Sequence, residues 1–355
     1  MKTVECPPES ENAVPAATGY TANVSVGADL SPGDILDDRF EIVELISRGG
    51  MAAVFKARDL QNHNHPVAVK VPFAELTRSP SAAGYFSRFV REEEIGIKLN
   101  HPYVLRFIPV AAKSRLYLVM EYVQGCTLYD LINLFRLFPE ADALAIGSLI
   151  CEGLQYLHEQ GITHRDLKPE NVMICDDGTI RIMDFGLARS PEARRVTLMG
   201  TPVGTPHYMA PERVNCKRGD ERTDIYSLGA MLYEMLTGTI PFNHENPLVI
   251  MNARVTGDPE APRKINPRLS PQAEEIVLHA MERDPDLRHP TAAALKAGLD
   301  APNEVELTGR WKRLEPPTRW KRALRTLTWL FWWCIVPTLT QVVLFLALRH
   351  HFEKR

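Results

Sequence analysis

Between His164 and Asn171 the chain reads His-Arg-Asp-Leu-Lys-Pro-Glu-Asn, which puts the carboxylate of Asp166, the ammonium of Lys168 and the amide of Asn171 within six residues. Thirteen residues after Asn171 comes a second acid on a flexible turn, Asp184-Phe185-Gly186. Two acids, a cation and an amide at this spacing suit movement of a γ-phosphoryl group. That reaction asks little covalent chemistry of a protein. It needs the phosphates held, their charge neutralised by metal, and a carboxylate to orient the attacking hydroxyl.

Such residues need a body to position them, and the composition provides one. At 355 residues the chain holds one large domain with appendages or two of ordinary size. Hydrophobic residues make up 45% and charged residues 24%, so a substantial core can be buried and wholesale disorder is excluded. A formal net charge of -3 gives no reason to expect a nucleic-acid partner, which would want a basic face. The six cysteines are scattered without a C-x-x-C pair and read as reduced thiols. No apolar run of a signal peptide occurs at the start.

The charge is unevenly spread. Residues 1–38 carry seven acids and one lysine among Pro, Ser, Thr and Ala, the pattern of a disordered acidic leader. A globular body is expected over 39–300, then a basic linker over 301–325 with seven Lys or Arg between 310 and 325. Residues 326–348 are 23 in a row without a charge, long enough for a transmembrane helix, and 349–355 would be a short extracytoplasmic tail. Seven basic residues precede that run against three after it, which puts the body on the cytoplasmic side. The partners implied are membrane lipid through 326–348 and anionic headgroups through 310–325.

Within the body, residues 40–72 alternate as strands around a Ser-Arg-Gly-Gly turn, residues 84–100 have helical spacing, and Leu116–Val123 reads as a buried strand. Helical patterns dominate from 127 onward (127–137, 140–160, 223–237, 270–282), with short strands near 172–175 and 180–183. A strand-rich front and helix-rich back without βαβ alternation predict an α+β fold in two lobes.

The block at 164–171, Asp184-Phe185-Gly186 and Ala210-Pro211-Glu212, in that order, resemble the eukaryote-like (Hanks-type) Ser/Thr protein kinases, in the style of bacterial membrane-anchored members. The likeness runs through about residues 40–298 and implies a two-lobed protein kinase fold acting on ATP and protein substrates with Mg²⁺ or Mn²⁺. By that resemblance Asp166 is the base toward the substrate hydroxyl, Lys168 faces the transferring phosphate, Asn171 and Asp184 hold the metal, and Lys70 contacts the α/β-phosphates. The acid paired with Lys70 is one of Glu92, Glu93 and Glu94. Phe89, Glu92, Gly96 and Leu99 form one helical stripe, which selects Glu92 and leaves its neighbours on a solvated face.

The phosphate-covering loop departs from the family's G-x-G-x-x-G-x-V. Aligned on Val54 it reads Ser47-Arg-Gly49-Gly-Met-Ala52-Ala-Val54, so only the middle glycine is kept, at a place where backbone must approach phosphate and φ > 0 is a common need. Adenine is expected between Val54 and Ala68 on one side and Met173 on the other, with Glu121-Tyr122-Val123 as the hinge and Met120 guarding the space behind. Gly96 stands where the family commonly has a larger apolar residue, a gap expected to loosen the helix until a partner or a homodimer contact orders it.

Lys168 and the Gly204–Pro211 stretch resemble Ser/Thr kinases, with Thr205 lining the substrate groove. Arg165 implies control by an activation-loop phosphate, with Thr197 preferred over Thr201 as the modified residue. Glu212 is expected to pair with Arg288, and Asp224 to brace the catalytic loop. The expected function is therefore a serine/threonine protein kinase that phosphorylates its own activation loop. The alternative is a membrane-anchored pseudokinase scaffold, favoured only by the loop departures and Gly96.

Overall fold

From Phe40 to Ile42 and from Ala53 to Ala57 every second side chain is buried, the period-two signature of a sheet with one packed face. In the computed structural model, which describes residues 30–49, 52–73, 82–111, 113–185, 207–215, 217, 219–314 and 333, these runs build an antiparallel five-stranded sheet. Its order is β1 (Ile35–Leu36), β2 (Phe40–Arg48), β3 (Ala52–Asp59), β4 (His65–Pro72), β5 (Leu118–Glu121). One face is closed by Leu36, Phe40, Phe55, Val69 and Tyr117. Helix α1 (Ala82–Gly96) runs between β4 and β5.

After β5 the chain makes β6 (Gly125–Thr127) and turns into α2 (Leu128–Phe135). That helix starts on a capping box, Thr127 accepting from the Asp130 N–H while Asp130 accepts from the Thr127 N–H. Helix α3 (Glu140–Glu159) leads to the hairpin of β7 (Val172–Cys175) and β8 (Ile180–Ile182), which completes a β6-β7-β8 sheet. The rest is helical: α4 (Pro211–Val214), α5 (Arg222–Thr237), α6 (Pro247–Thr256), α7 (Pro262–Ile265), α8 (Pro271–Ala280) and α9 (Ala292–Asp300). Almost every side chain of α5 is buried, as a helix at the centre of a bundle requires, and it ends on Gly238 at φ +72, where a left-handed residue closes the last turn.

The expected α+β division into a strand-rich and a helical lobe is what the chain adopts. Particular boundaries differ. Helix α1 ends at Gly96, short of the expected 100, and β6, α6 and α9 carried no signal strong enough to be anticipated. The sheet begins inside the stretch read as leader: Ile35 pairs with Glu41, and the acids after it turn the chain at positive φ (Asp37 50°, Asp38 51°). Composition marked both acids as solvated; Asp38 is exposed, but the backbone of both serves a turn, a role Asp fills readily in the left-handed region, and the Asp37 carboxylate accepts from Ser114 and Tyr117. At the other end, Arg310, read as linker, meets Glu275 at 2.6 Å and Glu282 at 3.1 Å. Glu275 is 2% exposed, and a buried carboxylate needs such a partner.

Residues 311–355 form a second unit, of which 311–314 and 333 are described; in it Lys312 lies 5.7 Å over the Trp311 ring. Among the described residues no helix is long and apolar enough to cross a membrane. The expected span at 326–348 lies outside the described residues apart from Trp333.

Candidate active site

Lys70 leaves β4 next to Val54 of β3, and its ammonium is shared by two carboxylates, Glu92 Oε1 at 2.9 Å and Asp184 Oδ1 at 2.7 Å. Of three consecutive glutamates the helical stripe turns Glu92 inward. Glu93 is not on a solvated face as expected but is ion-paired with Lys113, and Glu94 is exposed. Burial alone would depress the Lys70 ammonium, but the charges of Asp184 and Glu92 outweigh it and hold the lysine protonated well above its usual range. The Lys70 charge in turn holds the Asp184 carboxyl low, while burial pushes Glu92 up. An ammonium has three donors, so two acids leave one for a further oxygen. The Asp184 side chain keeps 52% of its surface open.

The catalytic-loop sequence is held by backbone bonds to one acid. Asp224, fully buried near the start of α5, accepts from the N–H of His164 through Oδ2 and of Arg165 through Oδ1, both at 2.8 Å. Its Oδ2 also meets His158 Nε2 at 2.9 Å. Arg165 takes φ +62, a conformation a non-glycine residue keeps only when its surroundings impose it. His164 Nε2 bonds the Met183 carbonyl at 2.9 Å and its Nδ1 accepts from the Asp166 N–H at 3.3 Å, so the ring joins the catalytic loop to the strand end that presents Asp184. Asn171 donates its amide N–H to the Asp166 carbonyl at 2.8 Å, which turns the amide oxygen the other way. Asp184 itself stands at φ +49.

Val54, Ala68, Met120 and Val123 belong to one apolar cluster, with Ala68 opposite Met120 across β4 and β5. Met173 lies on β7 opposite Thr127. The Glu121 carboxylate accepts from the Arg106 N–H at 3.0 Å and from Arg181 Nε at 3.2 Å, a tie from the hinge to β8 that the sequence did not suggest. The phosphate loop is a hairpin in which Ser47 faces Val54 and the Gly49 N–H donates to the Ala52 carbonyl at 2.9 Å. Gly49 is not at positive φ, and a Cβ there would meet the Ala52 oxygen at an ordinary 3.5 Å, so the retained glycine is not demanded by backbone conformation.

The expected gap at Gly96 does not exist. A Cβ on Gly96 would fall 2.6 Å from two ring atoms of Phe107, which already fills that space. Phe107 continues to Phe185 at 6.3 Å and Phe185 to His164 at 6.1 Å, an aromatic run from α1 to the catalytic loop. Lower down, Arg288 grips Glu212 with two bonds of 2.9 and 2.7 Å, and Thr223 donates to the same carboxylate at 2.8 Å. Thr197, Thr201 and Thr205 lie outside the described residues.

Residues 40–298 match the protein kinase domain model. The chain is 38% identical over 271 residues to the serine/threonine-protein kinase PknB of Mycolicibacterium smegmatis, covering 74% of this chain and 43% of the relative. It is 38% identical to the probable serine/threonine-protein kinase SCO3848 of Streptomyces coelicolor over 75% of this chain and 40% of the relative. The chain thus spans less than half the length of these relatives. The solved Mycobacterium tuberculosis PknI kinase domain superposes with a TM-score of 0.60 at 22% identity, over 77% of this chain and 99% of that one, a likeness of fold. Rad53 residues 1–466 in complex with AMP-PNP gives 0.58 at 30% identity, over 73% of this chain and 64% of that one. The match over 40–298, laid on a lysine shared by two acids and a loop that hangs from Asp224, makes this chain a member of the protein kinase domain family.

Proposed function

We propose that the chain transfers the γ-phosphate of ATP to serine and threonine hydroxyls of proteins. The observation that carries this reading is the Lys70 ammonium bridging Glu92 and Asp184 beside a catalytic loop whose backbone is fixed by Asp224. Lys70 has one donor left for a phosphate oxygen, and Asp166 would orient the attacking hydroxyl and take its proton as the bond to phosphorus forms. Lys168 would face the charge that develops on the phosphoryl oxygens. The half-open Asp184 carboxylate and the amide oxygen of Asn171 are hard oxygen donors of the kind Mg²⁺ or Mn²⁺ accepts. The metal held there would neutralise phosphate charge.

Val54, Ala68 and Met173 are assigned to adenine, with backbone at Glu121 and Val123 for its polar edge. Ser47 and Gly49 cover the phosphates and Thr205 lines the groove for the protein hydroxyl. Arg165 is assigned to a phosphate on Thr197 or Thr201, placed there by autophosphorylation. Mass mapping of active protein should find one of them modified, and finding neither removes this switch. Residues 326–348 are assigned to a single membrane span, preceded by basic residues for anionic headgroups. Release of the protein by alkaline extraction of membranes would refute the span.

The decisive experiment compares the full chain and Asp166→Asn with Mg-ATP and a generic protein substrate. Phosphate incorporation that depends on Asp166 supports the reading. Nucleotide binding without transfer in the unaltered chain favours the pseudokinase scaffold.

A further inference from the structure

Lys113, in the turn before β5, donates from Nζ to Glu93 Oε1 and to the Tyr117 carbonyl at 2.7 Å, and its ammonium lies 5.0 Å over the Tyr117 ring. Adjacent residues on a helix point about 100° apart, so Glu92 and Glu93 grip different sides of α1. Glu92 takes Lys70 inside the site, and Glu93 takes Lys113 outside it. The outer pair is not a surface decoration, since the Lys113 and Glu93 side chains are only 13% and 19% exposed.

The turn that carries Lys113 is itself anchored. Asp37 accepts from the Ser114 N–H at 3.0 Å and from the Tyr117 hydroxyl at 2.5 Å. Asp37 can reach both because it and Asp38 turn the chain at φ 50° and 51°, ahead of β2. Two consecutive non-glycine residues in the left-handed region cost free energy, and such strain persists where the surroundings impose it. The path from chain to site is therefore continuous: Asp37 holds the 113–117 turn, Lys113 holds Glu93, and the helix so placed presents Glu92 to Lys70.

We propose that Lys113 and Glu93, held by Asp37, are positioning residues that keep α1 where Glu92 can pair with Lys70, so that the segment before β2 sets the readiness of the nucleotide site. This rests on the kinase reading for its consequence on turnover. Its structural content, the placement of α1, stands apart from that reading.

The test uses the full chain and the variants Glu93→Gln, Lys113→Met, Asp37→Ala and the exchanged pair Glu93→Lys/Lys113→Glu. Hydrogen exchange of the backbone amides at 90–99 is measured without nucleotide and with Mg-AMP-PNP, alongside kcat and KM for ATP. Loss of the Lys113–Glu93 ion pair, or in Asp37→Ala of the bonds that hold its turn, should speed exchange across 90–99 by about fivefold, with the five-stranded sheet unchanged. The exchanged pair should recover at least half of the loss. Turnover should fall through kcat, and saturating nucleotide should restore protection by holding Lys70 and its partners together. Wild-type exchange at 90–99 in Glu93→Gln and Lys113→Met overturns the proposal. So does faster exchange throughout the sheet, which would mark a merely structural pair. If the unaltered chain transfers no phosphate while exchange at 90–99 responds as described, the kinase reading fails and the placement of α1 by Lys113 stands.

Discussion

Substituting Gly96 tests whether the space beside α1 is empty or already taken. A Cβ at 96 would sit 2.6 Å from Cγ and Cδ2 of Phe107 and 2.8 Å from Cε2, closer than van der Waals contact to three atoms of one rigid ring. Phe107 is 4% exposed and cannot swing into solvent, because it packs toward Phe185 on its other side. Overpacking of this kind costs about 1–3 kcal/mol, against which replacing a helix glycine returns less than about 1 kcal/mol. For a domain of this size we expect Gly96→Leu to lower the thermal midpoint by roughly 2–8 °C. Phe107→Ala should cost about 3–5 kcal/mol by leaving a cavity. The double variant Gly96→Leu/Phe107→Leu returns volume to the stripe while relieving the clash, so its loss should be smaller than the sum of Gly96→Leu and Phe107→Leu by about 1 kcal/mol or more. Phosphate transfer should follow the same order, since the ring that moves leans on the residue after Asp184. A stable and fully active Gly96→Leu, or strictly additive losses in the cycle, would refute the account of Phe107 as the filler of that space.

Arg288→Ala should destabilise the helical lobe by about 3–5 kcal/mol, read as a large drop in the thermal midpoint, because Glu212 is left as a buried carboxylate without its guanidinium. Arg288→Lys should recover only part of this, since one ammonium cannot reproduce two parallel bonds. Asp224→Asn removes the charge on which the His164 and Arg165 amides hang; we expect kcat to fall roughly hundredfold with KM for ATP little changed, and a KM effect alone would contradict the assignment. His289 lies against His279 with ring centroids 3.8 Å apart and planes tilted by 37°, and burial followed by the neighbouring His279 charge pushes it down to about 3. Between its ordinary value of about 6.5 and about 3 the unfolded chain takes a proton at 289 that the folded chain refuses. This group's contribution is therefore intact above pH 6.5 and lost as pH falls, at up to about 1.4 kcal/mol per pH unit. His289→Phe should flatten stability over that window in chemical denaturation; an unchanged slope would remove His289 as its source.

The site was legible where chemistry is contiguous. Asp166, Lys168 and Asn171 share one loop, so their spacing could be read directly, and Asp184 follows just past the β7–β8 hairpin. Lys70 meets partners 22 and 114 residues away, and only the helical stripe through Glu92 made the nearer one readable. What could not be read depends on side chains arriving from separate elements. Gly96 looks deficient in a one-dimensional comparison because the ring that completes it comes from Phe107. Glu93 looks solvated because Lys113 reaches it only after the turn at 113–117 folds back. Asp37 was counted among leader acids, since composition registers its charge and is blind to the hydrogen bonds it accepts. The fold was legible in its lobes for the opposite reason: burial period and helical spacing are local properties, which short elements such as β1 and β6 and weakly patterned helices such as α6 and α9 do not display strongly enough.

These attachments bear on how the departures from the family pattern should be weighed. Helix α1 is fixed at three points on two sides, by Lys70 at Glu92 and Phe107 at Gly96 along one stripe and by Lys113 at Glu93 beside it, and each contact comes from a different segment of the sheet lobe. The glycine at 96 is thus compensated within the lobe, and no second copy is needed to explain how the helix is held. The phosphate hairpin is different. Ser47 is exposed near the end of β2 and pairs with Val54 across the hairpin, and among the described residues no side chain from elsewhere in the lobe offsets the glycine it replaces. A defect in catalysis, if measured, should therefore appear in nucleotide affinity and respond to Ser47→Gly. It should not appear as a helix that needs ordering, because Lys70, Glu92 and Asp184 already stand in contact.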